Sequence, residues 1–143
     1  MPLYRVSAPA GSLSVEQKRR IAIEFTDIHC RCTNGTPRKF VHVIFEDVAE
    51  PNAWTAGEPS TVTKAVGMIR SGRSRQTRQR LVVELTEMLR RITGLSEQDT
   101  FVTLTEVRPE DSMEWGRFLP EDGEESEWVQ EHGLGRVGVH ATE

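Results

Sequence analysis

The sequence has few cysteines, few aromatic residues and no long uncharged apolar run. Its two cysteines, Cys30 and Cys32, are two positions apart in a predicted helix and point to different flanks, which argues against a mutual disulfide or a paired metal site. No window approaches the about 18 uncharged apolar residues of a membrane span. The first residues, MPLYRV, lack the basic-then-apolar pattern of a signal peptide. We therefore expect a cytoplasmic protein with reduced thiols and no membrane partner.

Length and charge limit the class of protein further. The chain has 143 residues, of which 36% are hydrophobic and 28% charged, which fits a single domain with one packed core. Its 18 basic and 22 acidic residues give a net charge of −4, which argues against nucleic acid as a partner. Binding of nucleic acid through the arginine-rich stretch 70–80 is the weaker alternative, because no aromatic residues interleave with those arginines.

The sequence repeats at an offset of 60 residues without gaps. The polar matches are Ser14 with Ser74, Arg20 with Arg80, Glu24 with Glu84, Thr26 with Thr86, Arg31 with Arg91, Thr33 with Thr93 and Glu46 with Glu106. The apolar matches are Ile21 with Leu81, Phe25 with Leu85, Ile28 with Met88 and Ile44 with Leu104. Because one register is kept through predicted helix, loop and strand, we interpret the chain as a duplicated unit.

Each unit is predicted to be a strand, a helix and a strand. Apolar residues at helical spacing and a capping box at Ser14 and Gln17 predict the first helix, and Asn34-Gly35 is a turn signal at its end. The predicted elements are strands at 2–8, 40–45, 62–69 and 100–107, helices at 14–32 and 74–92, a connecting loop at 50–60, and a short helical turn near 111–115 followed by a polar tail.

Two such units predict an α+β fold. Right-handed crossovers give a four-stranded mixed sheet with two helices on one face, within a single domain of residues 1–143. Its halves are about 2–48 and 61–108, followed by a C-terminal segment 109–143. The opposite face of the sheet keeps apolar side chains, so we expect other copies of the chain to cover it.

Pro2 is the first candidate for chemistry. If the initiator Met is removed, the chain begins with a secondary amine, and burial or nearby cations would make that amine a neutral base near pH 7. The alternative is that a proline at position two is inert, and an acylated Pro2 nitrogen could not act as a base.

Arg70 and Arg73 are expected where the third strand gives way to the second helix. Cations at a helix N-terminus oppose the macrodipole, so this placement suggests a bound anion such as a substrate carboxylate. The alternative is a basic surface paired with carboxylates, which we favour for Arg75, Arg78 and Arg80.

Two further candidates are His29, late in the first helix, and Glu114, among apolar and aromatic residues that could desolvate its carboxylate. Taken alone, a helical histidine such as His29 is more typical of packing or of the surface than of a functional site, and Glu114 is one of many acids. His42, His132 and His140 show no ligand spacing, so we expect no metal and no cofactor.

These features together resemble a known family. The Met1-Pro2 start, Thr26-Asp27-Ile28-His29, Arg70-Ser71-Gly72-Arg73, and the run from Glu114 to Pro120 followed by Gly123 and Glu127-Trp128 are similar to the tautomerase superfamily, and within it to the cis-3-chloroacrylic acid dehalogenase group. The similarity extends from position 2 to about 128, and the stretch beginning at Glu114 is its most specific part.

The resemblance implies roles for particular residues. Pro2 would carry a proton, Arg70 and Arg73 would bind the substrate carboxylate, His29 would help to hold it, and Glu114 would handle a water or a proton. It also implies a homotrimer. One position departs from the group: Thr103 stands where the dehalogenases have a tyrosine that helps Glu to activate water.

A threonine hydroxyl is shorter and far less acidic than a phenol, so Thr103 should impair hydration of a haloacrylate. We therefore predict a cofactor-independent tautomerase acting on a small 2-oxo acid of the phenylpyruvate type. The alternatives are a cis-3-haloacrylate dehalogenase that forms malonate semialdehyde, and a non-catalytic trimeric binding module.

Overall fold

The structure is a computed structural model that describes residues 1–33, 35–131 and 133. The turn signal at Asn34 and the candidate histidines His132 and His140 lie outside the described residues. Within them, no helix combines the length and the apolar character needed to cross a bilayer.

The first half of the chain forms a strand, a helix and a strand. Strand β1 spans Leu3–Pro9, helix α1 Val15–Cys32 and strand β2 His42–Val48, with a short 3₁₀ turn at Arg38–Phe40. Helix α1 begins with the predicted capping box: the Ser14 hydroxyl accepts a hydrogen bond from the Gln17 N–H, and the Gln17 side chain accepts one from the Ser14 N–H. Cys30 and Cys32, near its end, are free thiols.

The second half repeats this order. Between the halves lies a small hairpin of strands β3, Trp54–Thr55, and β4, Glu58–Pro59. Strand β5 spans Thr63–Arg70, helix α2 Arg75–Thr93 and strand β6 Thr100–Val107. Ser74 caps α2 as Ser14 caps α1, and Gly94 ends the helix in the left-handed conformation. The predicted positions of the main strands and helices are therefore confirmed within a few residues.

The four main strands form one mixed sheet in the order β2-β1-β5-β6. Strand β1 is parallel to β2 and antiparallel to β5, and β5 is parallel to β6. The predicted α+β fold is therefore confirmed. Each helix connects two parallel neighbouring strands. Because β1 and β5 are antiparallel, the start of β1 lies beside the end of β5.

The core lies between the sheet and the two helices. Ile21 and Phe25 of α1 and their repeat partners Leu81 and Leu85 of α2 are completely buried. On the sheet, alternate residues such as Val6 face these helices. The matching positions 60 residues apart thus form the two halves of one hydrophobic core.

The other face of the sheet carries exposed apolar side chains. Val66, Met68, Ile44 and Phe101 lie on three of its strands, and Phe101 is 51% exposed. This agrees with the prediction that this face of the sheet keeps apolar side chains.

Two regions were predicted incorrectly. The stretch 50–60 is not a plain loop, because it contains the β3–β4 hairpin, which turns at Ala56 and Gly57 with positive φ. Near 111–115, the helical turn lies earlier, at Pro109–Asp111, and is followed by a second hairpin of β7, Met113–Glu114, and β8, Arg117–Phe118. Part of the expected polar tail is helix α3, Glu125–Glu131.

Candidate active site

The amino terminus lies where three strands meet. Pro2 is buried, and its carbonyl accepts a hydrogen bond of 3.0 Å from the backbone N–H of His42, at the start of β2. On the other side Leu3 pairs with Met68 of β5, so the antiparallel register continued by two residues brings Met1 opposite Arg70. The sheet topology therefore brings the start of the chain to Arg70.

The terminal amine in this structure belongs to Met1, and it contacts Oε1 of Glu114. Burial, together with the positive charges of Arg70 and Arg73, lowers the pKa of this amine to about 5. The carboxylate of Glu114 acts in the opposite sense, because it favours the charged amine. An amine with so low a pKa is an uncharged base at neutral pH.

Arg70 ends β5 and is only 3% exposed. Its guanidinium donates to the carbonyl of Pro120 at 2.6 Å and forms an ion pair of 2.5 Å with Glu125 at the start of α3. The sequence predicts an anion at Arg70, and in this structure the buried carboxylate of Glu125 is that anion.

Arg73 precedes the N-cap of α2 and is equally buried. The turn between the two arginines includes Gly72, whose φ of +104° suits glycine. One Arg73 nitrogen donates to the Arg70 carbonyl at 2.8 Å and another to Thr36 Oγ1 at 3.3 Å. Its Nε has no hydrogen-bond partner among the described residues, and Oδ1 of Asp122 lies 3.9 Å from it. Arg73 therefore retains an unused donor in a buried position.

The other arginines of the basic stretch agree with the surface interpretation. Arg78 pairs with Glu106 at 3.1 Å, and Arg80 pairs with Glu84 at 2.8 Å. These partly exposed ion pairs contribute little to stability.

His29 is fully buried beneath the same site. Its Nδ1 lies 2.6 Å from the hydroxyl of Tyr4, whereas its Nε2 has no hydrogen-bond partner in the described part of the chain. Burial and the charges of Arg73, Arg70 and the amino terminus lower the pKa of His29 to about 3, so the ring is uncharged at neutral pH. A Cβ at Gly67 would come within 2.5 Å of the Tyr4 ring, so this glycine makes room for Tyr4.

Glu114 is held in the site by the β7–β8 hairpin, which turns at Trp115 and Gly116 with positive φ. Its side chain is 15% exposed. One carboxylate oxygen contacts the amino terminus, and the other lies 3.0 Å from Nε2 of His42. Glu114 is thus shared between a basic amine and a histidine.

Apolar and aromatic side chains form a cavity beside the amino terminus. Phe40 packs against Trp115 and Trp128, with ring centroids 5.3 and 5.7 Å apart. The cavity is lined by Met1, Thr36, Pro37, Phe40, Arg70, Leu119, Pro120, Glu125, Trp128 and Val129. Its volume of about 20 Å³ leaves room for little more than a water molecule while Met1 occupies one wall.

The structure therefore brings together most of the predicted site residues, namely the amino terminus with Pro2, Arg70, Arg73, Glu114 and His29. It does not bring Thr103 to them. Thr103 lies on the edge strand β6, where it pairs with Val66 and borders a separate cleft with α2. Among the described residues, no three metal-binding side chains form a cluster.

Four residues of the site were not predicted from the sequence: Tyr4, Thr36, His42 and Glu125. His42 was considered only as a metal ligand, although its place at the start of β2, beside β1, predicts that it lies near Pro2. Acidic residues crowd positions 121–127 of the sequence, but nothing in that run distinguishes Glu125 from its neighbours.

Comparison with known proteins identifies the family. A family model described as "Putative oxalocrotonate tautomerase enzyme" matches residues 1–133. The chain belongs to the tautomerase superfamily. A solved structure described as N1, a member of the cis-3-chloroacrylic acid dehalogenase (cis-CaaD) family, has a TM-score of 0.88 and 29% identity, and the match covers 94% of this chain and 96% of the other. The resemblance seen in the sequence is thereby confirmed.

Two other structures share the tautomerase fold. Native Ps01740 is 31% identical, with a TM-score of 0.76 over 78% of this chain and 99% of the other. A fused 4-OT, described as a wild-type asymmetric trimer, is 18% identical and shows the fold alone, with a TM-score of 0.75 over 81% of this chain and 94% of the other. No curated protein matches the chain in sequence.

Proposed function

We propose that this tautomerase-superfamily protein, after loss of Met1, uses the amino-terminal Pro2 to interconvert the enol and keto forms of a small 2-oxo acid of the phenylpyruvate type. The observation that carries the proposal is the burial of the chain terminus beside Arg70, Arg73 and Glu114, which lowers the pKa of the terminal amine to about 5. An uncharged amine is a competent base for an enol hydroxyl at neutral pH.

Removal of Met1 would make the Pro2 nitrogen available as the base and would enlarge the cavity. The residue lines the cavity together with Arg70 and Phe40, so its loss would free its own volume at that wall. The Pro2 nitrogen would then be the chain terminus, next to the same two arginines. The burial and positive charge that lower the pKa of the Met1 amine would act on Pro2 as well.

Arg73 and His29 would bind the carboxylate of the substrate. Arg73 has a buried Nε without a partner. We assign the His29 proton to Nε2, because burial raises the pKa of Tyr4 so that its hydroxyl stays protonated and donates to Nδ1. These two nitrogens would then donate to the substrate carboxylate, while Arg70 adds charge but keeps its pair with Glu125.

The aromatic wall supports a substrate with an apolar substituent. Phe40, Leu119 and Trp128 line the same cavity as Arg70. A phenyl or similar group would pack there in an edge-to-face or tilted arrangement, as the protein's own rings do.

The reaction follows from these positions. Neutral Pro2 accepts the proton of the enol hydroxyl, the C=C π electrons form the new bond at C3 as the C2–O bond becomes a carbonyl, and protonated Pro2 delivers a proton to C3. Glu114 stabilises the protonated amine between the two transfers, and the arginines stabilise negative charge on the substrate oxygen. No cofactor takes part.

Hydrolytic dehalogenation of a cis-3-haloacrylate is the second candidate, and the placement of Glu114 beside the terminus favours it. In that reaction Glu114 would take a proton from water, the oxygen would bond to C3, and Pro2 would protonate C2 before the halide leaves. Pro2 would have to begin protonated, which the low pKa of the amine disfavours. Tautomerisation is therefore the first choice.

We further propose that the protein is a homotrimer in which other copies cover the apolar sheet face of Ile44, Val66, Met68 and Phe101. Exposed patches of this kind are typical of interfaces. The trimeric fused 4-OT shares the fold, which is consistent with this arrangement.

The test is an assay of enol-phenylpyruvate ketonisation with protein whose intact mass shows that Met1 is absent. We expect catalysis above the buffer rate, a loss of at least about tenfold in Pro2→Ala, and inactivation by an amine-acylating reagent at mildly acidic pH, where lysines stay protonated. Arg80→Ala is the control. A protein that retains Met1 and has no activity on either substrate class would support a binding module instead.

A further inference from the structure

His42 connects the two groups to which the proposed chemistry is assigned. Its backbone N–H donates to the Pro2 carbonyl at 3.0 Å, and its ring Nε2 lies 3.0 Å from Oε2 of Glu114. One residue at the start of β2 therefore touches both Pro2 and Glu114, the acid beside the terminal amine. The residue is 72 positions away from Glu114 in sequence, so only the fold brings them together.

The direction of the hydrogen bond follows from the chemistry of the two groups. An ionised carboxylate only accepts, so the Nε2 of His42 must carry the proton that joins it to Glu114. Burial and the nearby amino terminus lower the pKa of His42, which favours the uncharged ring with its single proton on Nε2. Nδ1 is then the unprotonated nitrogen.

Packing does not account for this contact. The His42 side chain is 54% exposed, whereas that of Glu114 is 15% exposed. A half-exposed pair adds little to folding stability. The contact instead gives each carboxylate oxygen of Glu114 a different partner: Oε2 is held by His42, and Oε1 contacts the terminal amine.

We propose that His42 is a positioning residue for Glu114, which fixes Oε2 so that Oε1 faces the amino-terminal nitrogen while that nitrogen is protonated. This inference rests on the proposed function. His42 also gives Glu114 a hydrogen-bond donor from the same chain, a role that Thr103 of that chain does not fill. Without this donor, the Glu114 carboxylate can rotate away from the terminal amine. The protonated amine then loses its counter-charge during turnover, while the groups that bind the substrate carboxylate stay in place.

The test is a double-mutant cycle on enol-phenylpyruvate ketonisation. We expect His42→Leu to lower kcat about tenfold, the size of one charge-assisted hydrogen bond, with little change in KM. His42→Gln, which retains a donor near the same point, should recover most of that loss. In a Glu114→Gln background, His42→Leu should cause little further loss.

Three results would overturn the proposal: an unchanged kcat in His42→Leu, a Gln variant as impaired as the Leu variant, or the same loss with and without Glu114. A readout that needs no activity separates this proposal from the proposed function. ¹⁵N NMR should show the His42 proton on Nε2 in the wild type and a mixture of tautomers in Glu114→Ala. The same tautomer in both proteins would contradict the positioning role of His42, even if the enzyme is active. An inactive wild type would contradict the proposed function alone.

Discussion

Arg70 and Glu125 form a buried ion pair of 2.5 Å between the last residue of a central strand and the first residue of α3. Gly123 donates a backbone hydrogen bond of 2.9 Å to the other Glu125 oxygen. The pair fastens the C-terminal segment over the amino terminus and gives Arg70 a carboxylate partner from the same chain. Glu125 therefore lines the cavity beside Arg70.

Glu125→Ala should destabilise the protein by about 3–5 kcal/mol, because it leaves the buried Arg70 charge without its partner. Chemical denaturation measures the change. Glu127→Ala, which removes an exposed carboxylate of the same helix, is the matched control and should have little effect. Equal effects of the two substitutions would show that the Arg70 pair does not fasten the segment.

Stability should fall as the pH decreases from about 6.5 towards 3. His29 has its pKa lowered to about 3 in the folded protein, so in this window the unfolded chain binds more protons and is favoured. Burial raises the pKa of Glu125, but hydrogen bonds from Arg70 and backbone N–H groups lower it overall, so the stability it contributes is lost at the acidic end. Denaturation across this range in His29→Gln should show a shallower slope, and an identical slope would contradict the buried, neutral histidine.

Arg73→Ala should reduce kcat/KM for the 2-oxo acid by roughly 10–100-fold, because it removes the charged donor that we assign to the substrate carboxylate. Steady-state kinetics measures the loss, and Arg80→Ala provides a solvent-exposed arginine for comparison. If Arg73→Ala handles carboxylate substrates normally, the anion is bound elsewhere.

A charge on the open face of the sheet should dissociate the oligomer. Val66→Glu would bury a carboxylate in the proposed interface, whereas Val83→Glu places one on an exposed position of α2. Light scattering should give a trimer for the wild type and Val83→Glu and a smaller species for Val66→Glu. A monomeric wild type would contradict the proposed trimer.

Local sequence signals and the repeat together predict the frame of the molecule. The serine caps, the apolar spacing and the offset of 60 specify which residues meet in the core, and they place Arg70 and Arg73 at the junction of β5 and α2. These features depend on neighbours within a few residues, or on a register that the repeat makes visible.

The details of the site depend on contacts that no local pattern encodes. Tyr4 with His29, His42 with Glu114, and Arg70 with Glu125 are 25, 72 and 55 positions apart. The two hairpins leave little signal in the sequence. Aligned with each other, they share only their turn glycines, Gly57 and Gly116, which are 59 positions apart and so fall outside the register of 60.

The central claim is that the chain begins with an uncharged amine in a buried, positively charged setting. Titration of the Pro2 nitrogen by ¹⁵N NMR, in protein that has lost Met1, tests it most directly. The account predicts a pKa below neutrality, near the value of about 5 found for the terminal amine here. A Pro2 nitrogen that titrates at or above the ordinary α-amine range of about 7.7–8.0 would contradict it.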